Sequence, residues 1–427
     1  MAQVARVEDP ADRPVDDFDA FCADVLGSLL RADQRRVGKA YLSGLLNCPG
    51  RKSIRQIAAM VRCGQSEQSL QQFINQSPWD YEPIRRRLLH HLMEIGRPTA
   101  WVVDEVAFPK HGRYSAGVER QYVRSTQRVS NCQLAIVATM VCDGFTVPVN
   151  WRLLVPESWR QDEERRARAR MPDEEHPRPY WRYQMEVLDD VVLDWGTSDA
   201  PVVVDARPLA TAEALFTALE GRDMPYIAQV NPNLTVGYAV NRRNAPVDGS
   251  RVRGGYRRGP LTDLVPYTSD VRRVTAGWSE GAGDRVRRGQ FLQLPIWPTD
   301  QGGTVSRLRP VERKLIAEWP LARPRPREYW ITNITTGALP ELVALAKLPG
   351  QVGPRLEDFA TRFGLRDYEG RTFAGWHHHV TLATAAHVFR VLTAPGRAAG
   401  PGPDDWHAPT FARQWQATPV KKAPAWR

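Results

Sequence analysis

Two aspartates in this chain each end a short apolar run of β-branched or aromatic residues. Residues 101–103 (WVV) precede Asp104 and Glu105, and residues 202–204 (VVV) precede Asp205. Such runs are typical of buried strands, so each acid is expected where a sheet meets solvent. Mg²⁺ takes oxygen ligands and usually only one or two protein carboxylates, so Asp104 and Asp205 could share one divalent cation. For either acid alone, a turn cap or an arginine partner is the competing interpretation.

The charge balance of the chain favours a polyanionic partner. Its 427 residues carry 58 Lys and Arg against 48 Asp and Glu, which gives a net charge of +10 and an isoelectric point near 9.5. A positive mean field attracts nucleic acid. Arginine supplies most of this charge and can bind phosphate in a bidentate manner, although nucleotide bias in the coding DNA produces the same composition. The composition suggests DNA without deciding it.

Cysteine usage and hydropathy indicate the compartment. The five cysteines form no CxxC pair, and their odd number favours free thiols in a reducing cytoplasm over disulfides or a structural zinc. No apolar run reaches the roughly 18 residues of a membrane span, and the charged N-terminus lacks the apolar segment of a secretory signal. We therefore expect a soluble, cytoplasmic, nucleoid-associated protein with no membrane partner.

Apolar residues at three- and four-residue spacing predict an all-helical segment over 16–97. Within it, 51–60 and 69–74 flank a glycine-bearing turn, the outline of a helix-turn-helix. An ordinary helical hairpin with a polar outer face fits the same pattern equally well. On the DNA-binding interpretation, the phosphate contacts are Arg51, Lys52 and Arg55, and the base contacts are Gln68, Gln71, Gln72 and Asn75.

After residue 98 the pattern changes from helices to strands. Three strands, a helix, a strand, a helix and another strand are expected in that order, with strands at 101–104, 131–141, 145–154, 202–205 and 224–230. This order predicts an α/β fold with an RNase H-like mixed sheet. The two aspartates would then lie on the first and fourth strands.

Residues 231–326 interrupt this order and are rich in Arg, Gly and Pro. We interpret them as an inserted β-rich subdomain. Its basic run 251–259 is typical of a phosphate-contacting loop, or of a solvated linker. Trp278 could stack on an unpaired base, or belong to a small local core. The candidate DNA contacts outside the helical segment are Lys110, Arg251, Arg253, Arg257, Arg258 and Trp278.

The expected organisation divides the chain into six segments. They are a disordered start at 1–15, a helical DNA-binding domain at 16–97, the RNase H-like domain at 98–230 and 327–394, the insertion at 231–326, and a flexible tail at 395–427. A last helix is expected from Trp376 to Leu392. Consecutive histidines at 377–379 lie about 100° apart on a helix, so they cannot all ligate one ion.

The chain resembles the transposases of bacterial insertion sequences that use a DDE triad, most closely the branch numbered seven hundred and one. The motifs that carry the resemblance are VVDEVAFPKHGRYSAGVERQY (102–122), NCQ (131–133), WRLLVPESWRQDEERRARA (151–169), VVVDA (202–206) and GLRDYEGRTFAGWHHHV (364–380). The resemblance implies an RNase H-like catalytic domain that uses Mg²⁺ or Mn²⁺, with an insertion before the third acid. It places Asp104 and Asp205 on the first two catalytic positions.

The sequence departs from this family at the third acid. Counting back from Gly364 puts Gly353 where the family has a glutamate on a helix. Nearby prolines and glycines argue against a regular helix, because proline costs about 3 kcal/mol in a helix interior, so a shortened helix is expected. Glu357, one turn later, is the candidate substitute, and Asp358 is a weaker one. Arg207 also departs from the family, since a small glycine-bearing turn usually follows the second acid.

Two functions remain open on the sequence. In two-metal phosphoryl transfer, carboxylates must hold both ions, and without the third acid the second ion loses its ligand. The chain is therefore interpreted as a DNA-binding member of the transposase family with weakened or lost strand cleavage, including a repurposed regulator. The alternative is an active transposase that uses Glu357. The expected partner is double-stranded DNA, with a homodimer on DNA left open.

Overall fold

The structure is a computed structural model that describes residues 13–61, 66–197, 200–209, 212–239, 256–264, 273–279, 286–297, 312–320 and 325–394. Its helices are α1 (Arg13–Val25), α2 (Ala32–Asn47), α3 (Ile54–Met60), α4 (Glu67–Asn75), α5 (Glu82–Ile95), α6 (Glu163–Ala169), α7 (Tyr180–Leu188), α8 (Glu213–Glu220), α9 (Leu261–Leu264), α10 (Leu339–Ala346), α11 (Leu348–Arg362) and α12 (Phe373–Leu392). Its strands are β1 (Ala100–Pro109), β2 (Glu119–Val123), β3 (Arg128–Cys142), β4 (Phe145–Leu153), β5 (Val202–Asp205), β6 (Tyr226–Gln229), β7 (Thr235–Ala239), β8 (Tyr256–Pro260), β9 (Val274–Ser279), β10 (Val286–Ile296), β11 (Arg313–Trp319) and β12 (Glu328–Thr332).

A large mixed sheet organises the chain. Its strand order is β2-β3-β1-β5-β6-β12-β11-β10-β9, and β4 pairs with β3. β1 runs antiparallel to β3 and parallel to β5, and β5 runs parallel to β6. β1 pairs with β5 over residues 101–103 and then continues to Pro109, so Asp205 ends β5 whereas Asp104 lies inside β1. The expectation that Asp104 ends its strand is wrong, because β3 pairs with β1 along its whole length. This mixed α/β sheet with flanking helices is consistent with the expected RNase H-like class.

The expected insertion is less separate from the sheet than its sequence suggests. β9, β10 and β11 continue the large sheet beyond β12 through antiparallel pairing. Their pairing covers the backbone groups that would otherwise stay exposed along the edge of β12. β7 and β8 form a second, two-stranded sheet, which a bridge between Gly237 and Trp297 joins to the end of β10. An independently folded insertion stays a prediction.

The helical character of the N-terminal segment matches its sequence pattern. Ser53 caps α3 by accepting from the backbone N–H of Gln56, and Ser66 caps α4 by accepting from that of Ser69. The turn at 62–65 lies outside the described residues, as do 1–12 and 395–427, where disorder was expected. None of the described helices is long and apolar enough to cross a bilayer.

The N-terminal helices share one apolar core with the sheet and α12. Arg85 of α5 shows the connection, because its buried guanidinium donates to Thr381 Oγ1 at 2.8 Å, to Asn150 Oδ1 at 3.1 Å and to the carbonyl of Trp151 at 2.9 Å. A polar group buried this deeply costs free energy unless its donors are satisfied. Arg85 therefore fixes the position of α5 against β4 and α12. A DNA-binding domain that folds alone stays a prediction.

The three consecutive histidines of α12 also connect this helix to the N-terminal segment. His377 contacts Arg85, the ring nitrogens of His378 face backbone carbonyls at the end of α4 and beyond it, and His379 contacts Tyr41 of α2. Burial lowers the pKa of His379 to about 4, so this side chain is neutral near pH 7. Each ring points to a different neighbour, as their angular spacing requires.

Candidate active site

β1 and β5 place Asp104 and Asp205 side by side. The register pairs Val103 with Val204, and the two aspartates are the next residues along each strand. Neighbouring strands lie about 4.8 Å apart, so the two aspartates are neighbours where β5 ends against the middle of β1. The β-branched residues before them are buried, which fixes the two strands here. The structure therefore brings together the two acids that the sequence singled out.

Helix α11 covers the face of the sheet to which these aspartates belong. Val102, Val203 and Val352 form part of one buried cluster. Side chains alternate between the faces of a strand, so Asp104 lies on the same face as Val102, and Asp205 on the same face as Val203. The next residue is Gly353, the position that the resemblance assigns to the third acid, about 100° around the helix from Val352. α11 is thus the element from which a third carboxylate would approach the pair.

The expectation of a shortened helix at this point is wrong. α11 runs without interruption from Leu348 to Arg362, with Pro349 in its first turn and Pro354 in its interior. Proline is tolerated in a first turn, where the N–H has no helical partner. At 354 it removes one hydrogen bond, to the carbonyl of Gly350, and Gly350 is exposed to solvent. Buried apolar residues on the inner face of α11 hold the helix despite this loss.

Gly353 and Glu357 differ in what surrounds them. A Cβ built on Gly353 meets no atom within 4 Å. Glu357, one turn later, is largely exposed, and its two carboxylate oxygens each accept from Arg366 at 2.6 Å. Arg366 also donates to the carbonyl of Ala107 on β1 at 3.0 Å, and it lowers the pKa of Glu357. The proposed substitute acid is therefore engaged in an ion pair, and Asp358 likewise pairs with Arg362 at 2.8 Å.

Two arginines surround the aspartates. Arg207 donates from Nε to Asp205 Oδ1 at 2.9 Å and from Nη2 to Oδ2 at 2.8 Å. Arg124 donates from Nη2 to Glu105 Oε2 at 2.5 Å and to the hydroxyl of Tyr180, and its Nη1 lies 3.9 Å from Asp205 Oδ2. Arg207 is visible in the sequence as a departure close to Asp205. Arg124 carries no such signal, because the β2–β3 hairpin brings it to the acids.

The Asp104 carboxyl is held in an unfavourable environment for its charge. Burial, followed by the neighbouring charges of Asp205 and Glu105, raises the pKa of Asp104 to about 6 from a usual value of 3.8. The backbone N–H of Glu105 donates to its Oδ1 at 2.7 Å and opposes this shift. A carboxyl whose pKa is strongly shifted and that lies beside other acids is a candidate functional group.

The donor set fits one divalent ion better than two. Two aspartates on adjacent strands supply the one or two carboxylates with which Mg²⁺ is commonly bound. Within the part of the chain that the structure describes, no group of three or more His, Cys, Asp or Glu is arranged to hold a metal ion. A second ion would need the carboxylate that Gly353 does not supply. An ion at Asp205 would also have to share or displace the guanidinium of Arg207.

The two lysines predicted to contact phosphate face the protein. Lys52 is buried, and its ammonium donates to the carbonyl of Cys48. Lys110 lies over the ring of Tyr368 and donates to the carbonyl of that residue. Burial lowers the pKa of Lys110 to about 8. The structure gives Lys52 a structural role in place of the predicted phosphate contact, and it gives Lys110 backbone and ring partners.

The predicted stacking residue Trp278 is part of a local core, the alternative that the sequence left open. Its side chain is 8% exposed, meets the ring of Phe291 edge-on with centroids 5.7 Å apart, and has the Lys347 ammonium 5.0 Å from its ring centroid. Stacking on a base would require this core to open. The prediction of a free stacking surface at Trp278 is therefore corrected.

The remaining DNA-contact candidates are distributed between described and undescribed residues. Arg55, Gln68 and Gln72 are exposed on α3 and α4, and Arg258 is exposed on β8. Arg51 is exposed and pairs with Glu369 at 2.8 Å. Asn75 is half-buried and accepts from the Tyr368 hydroxyl at 2.7 Å, so it supports the helix pair. Arg251, Arg253 and the side chain of Arg257 lie outside the described residues.

Comparison with known proteins identifies a family and a curated relative of this chain. A family profile described as DDE superfamily endonuclease matches residues 24–282, which is more than half of the chain. A protein of Microchaete diplosiphon described as a probable transposase for insertion sequence element IS701 is 31% identical over 108 residues. That alignment covers 25% of this chain and 28% of the relative, so it spans less than a third of the relative's length.

Proposed function

Because the chain belongs to the DDE superfamily endonucleases, we propose that it binds double-stranded DNA as a transposase-like protein whose strand cleavage is weakened or lost. Gly353 carries this proposal. It lies on α11 next to a valine that packs with the strands bearing Asp104 and Asp205, and it offers no carboxylate there. The DNA would be a transposon end or a resident chromosomal site, and the protein would act on it as a binding protein or regulator.

In this proposal Asp104 and Asp205 are the residues that would hold a divalent ion. Such an ion, when bound, supplies charge stabilisation and an activated oxygen nucleophile for phosphoryl transfer. The chain's own groups fix the pair: the strand register sets the spacing of the acids, and Arg124 places a positive charge between Glu105 and Asp205. The site retains the two strand-borne acids of a DDE site and lacks the helix-borne one.

The first test measures binding and cleavage in one preparation. We expect the purified chain to retard duplex DNA that carries the flanks of its gene, while supercoiled plasmid with the same flanks stays uncut in Mg²⁺ or Mn²⁺. With about four phosphate contacts, each doubling of salt should weaken binding roughly tenfold, because the contacts release counterions. Binding that is absent at low salt, or insensitive to salt, would contradict the DNA-binding part of the proposal.

The surface of α3 and α4 offers a specific version of this test. Arg55, Gln68 and Gln72 are exposed there, so Arg55→Ala should lower the salt slope by about one and weaken all sequences alike. The matched control is Arg168→Ala, which removes an exposed arginine that pairs with Glu164 on α6. Equal losses from the two variants would assign the affinity to net charge and not to the helix pair.

A second function, an active transposase that uses Glu357, is favoured by one observation. Glu357 lies four residues after Gly353 and therefore on the same side of α11. Its pairing with Arg366 argues against it, because both carboxylate oxygens are occupied. We expect neither Glu357→Ala nor Asp358→Ala to change plasmid nicking from the level of the unaltered chain.

Plasmid nicking with these two variants separates the alternatives. Nicking by the unaltered chain that Glu357→Ala abolishes and Asp358→Ala retains, with DNA affinity intact, would establish the active transposase. Nicking that survives both substitutions together would show that the third acid lies elsewhere. The control for DNA affinity is the gel-shift titration of each variant in the same buffer.

A further inference from the structure

The carboxylate of Asp205 already has a cation in the fold. Arg207 engages both of its oxygens, through Nε on Oδ1 at 2.9 Å and Nη2 on Oδ2 at 2.8 Å. The backbone N–H of Arg207 adds a third hydrogen bond to Oδ1 at 2.9 Å. This is the bidentate arrangement in which a guanidinium matches a carboxylate most closely.

A second guanidinium, that of Arg124, also lies close to Asp205. The guanidinium of Arg124 donates to Glu105 and to the Tyr180 hydroxyl, and its Cζ lies 4.7 Å from the centroid of the Tyr180 ring. Its Nη1 is buried without a hydrogen-bond partner and lies 3.9 Å from Asp205 Oδ2. Two positive charges therefore face the acid that a metal ion would use.

We propose that Arg207 is an internal counter-ion of Asp205 that competes with divalent cations and so sets the metal affinity of the carboxylate pair. The inference rests on the proposed function in taking Asp104 and Asp205 as the pair that would hold an ion. It goes beyond the missing third acid, because it concerns the first ion and not the second. Arg207 touches the acid and not the reacting atoms, so it is a positioning residue.

The competition follows from geometry and charge. Arg207 makes three hydrogen bonds to a carboxylate that has about four lone-pair sites, so an inner-sphere ion has one site left on Oδ2, which Arg124 Nη1 faces at 3.9 Å, unless it displaces Arg207. A guanidinium that stayed in place would also repel a doubly charged ion a few ångströms away. The Arg207 side chain is 49% exposed and is anchored only two residues from Asp205, so it can rotate into solvent when an ion binds.

The test is an Mn²⁺ titration of the full chain without DNA, with free Mn²⁺ read by electron paramagnetic resonance. We expect Arg207→Ala to bind Mn²⁺ on the order of tenfold more tightly than the unaltered chain, since the competing charge is gone. Arg207→Gln, which keeps the length of the side chain without its charge, should show a gain in the same direction. It decides the question if the alanine variant is poorly folded.

Arg222 provides a matched control. It grips Asp189 through the same two atoms, Nε to Oδ1 at 2.5 Å and Nη2 to Oδ2 at 2.8 Å, in a pair that includes neither Asp104 nor Asp205. Arg222→Ala should leave Mn²⁺ affinity unchanged. Adding Asp104→Asn to Arg207→Ala should remove the gain, because the ion then loses one of its two carboxylates.

Each outcome of the titration bears on the proposal. Equal affinity in the unaltered chain and the Arg207 variants would overturn it, as would variants that bind no Mn²⁺. An equal gain from Arg222→Ala would assign the effect to overall charge and would also overturn it. The titration contains no DNA, so its result is independent of the proposed function. Plasmid nicking by the unaltered chain would contradict the proposed loss of cleavage, and it would not change the order of Mn²⁺ affinities expected for the variants.

Discussion

Gly353→Glu should raise metal-dependent nicking of supercoiled DNA on the order of a hundredfold over the unaltered chain. The expectation follows from three features of α11: the helix is continuous, position 353 follows a residue that packs on the strands of the acid pair, and a side chain there meets no atom within 4 Å of its Cβ. Position 353 lies about 100° around α11 from Val352, so a glutamate there would extend beside the packed face to supply the ligand that a second ion lacks. Replacing a helical glycine also stabilises the helix by about 1 kcal/mol.

The measurement is the initial rate of plasmid nicking in Mn²⁺, with plasmid carrying the flanks of the gene. Gly353→Gln is the control, since glutamine has the same shape and helix propensity without the charge. Adding Asp104→Ala to Gly353→Glu should return the rate to background. If Gly353→Glu stays inactive at saturating Mn²⁺, both alone and combined with Arg207→Ala, then the assignment of 353 as the third position is incorrect.

Asp104→Asn should stabilise the folded chain at pH 8 by up to about 3 kcal/mol. The folded pKa of Asp104 is raised to about 6, chiefly by burial, from a usual value of 3.8. A raised folded pKa means that the carboxyl contributes stability below the unfolded pKa, and that this contribution is lost as pH rises through about 6. Above that pH the native state holds an ionised carboxylate at a cost, which an amide of the same shape avoids.

Chemical unfolding of the two proteins at several pH values measures this effect. The advantage of Asp104→Asn should fall to roughly half at pH 5, because the unaltered Asp104 is then mostly protonated in the folded state. Asp358→Asn is the control, since that exposed carboxylate pairs with Arg362 on the surface of α11. If the gain in unfolding free energy does not depend on pH, or if Asp104→Asn is less stable at pH 8, then the ionised Asp104 carboxylate does not destabilise the folded chain.

The sequence alone predicted the two strand-borne acids and the absence of a third. Strands are recognisable locally because β-branched runs are buried, but the acid after the run marks the strand end only at Asp205, since β1 continues past Asp104 to Pro109. The family resemblance located Gly353 by its distance from Gly364, and a covalent spacing does not depend on the fold. The sequence therefore predicts Asp104, Asp205 and this glycine as the residues of interest without any tertiary structure.

Local composition was a poor guide wherever packing opposes it. Pro349 and Pro354 argued for a broken helix, yet α11 is continuous because its apolar face is buried against the sheet. Lys52 and Trp278 resembled DNA contacts by residue type, but both are buried in the described structure. Propensity and residue type are weak priors, since the free energy of burying an apolar face or satisfying a polar group is larger.

Only the tertiary structure decided what surrounds the acids. Arg124 reaches Glu105 and Asp205 from the tip of a hairpin, and Glu357 is drawn to Arg366, nine residues away. The sequence shows Arg207 as an unusual neighbour of Asp205, but it does not predict that Arg207 donates hydrogen bonds to both carboxylate oxygens. Ion pairs depend on distances of a few ångströms between side chains, and those distances are set by the packing of the whole sheet and not by position along the chain.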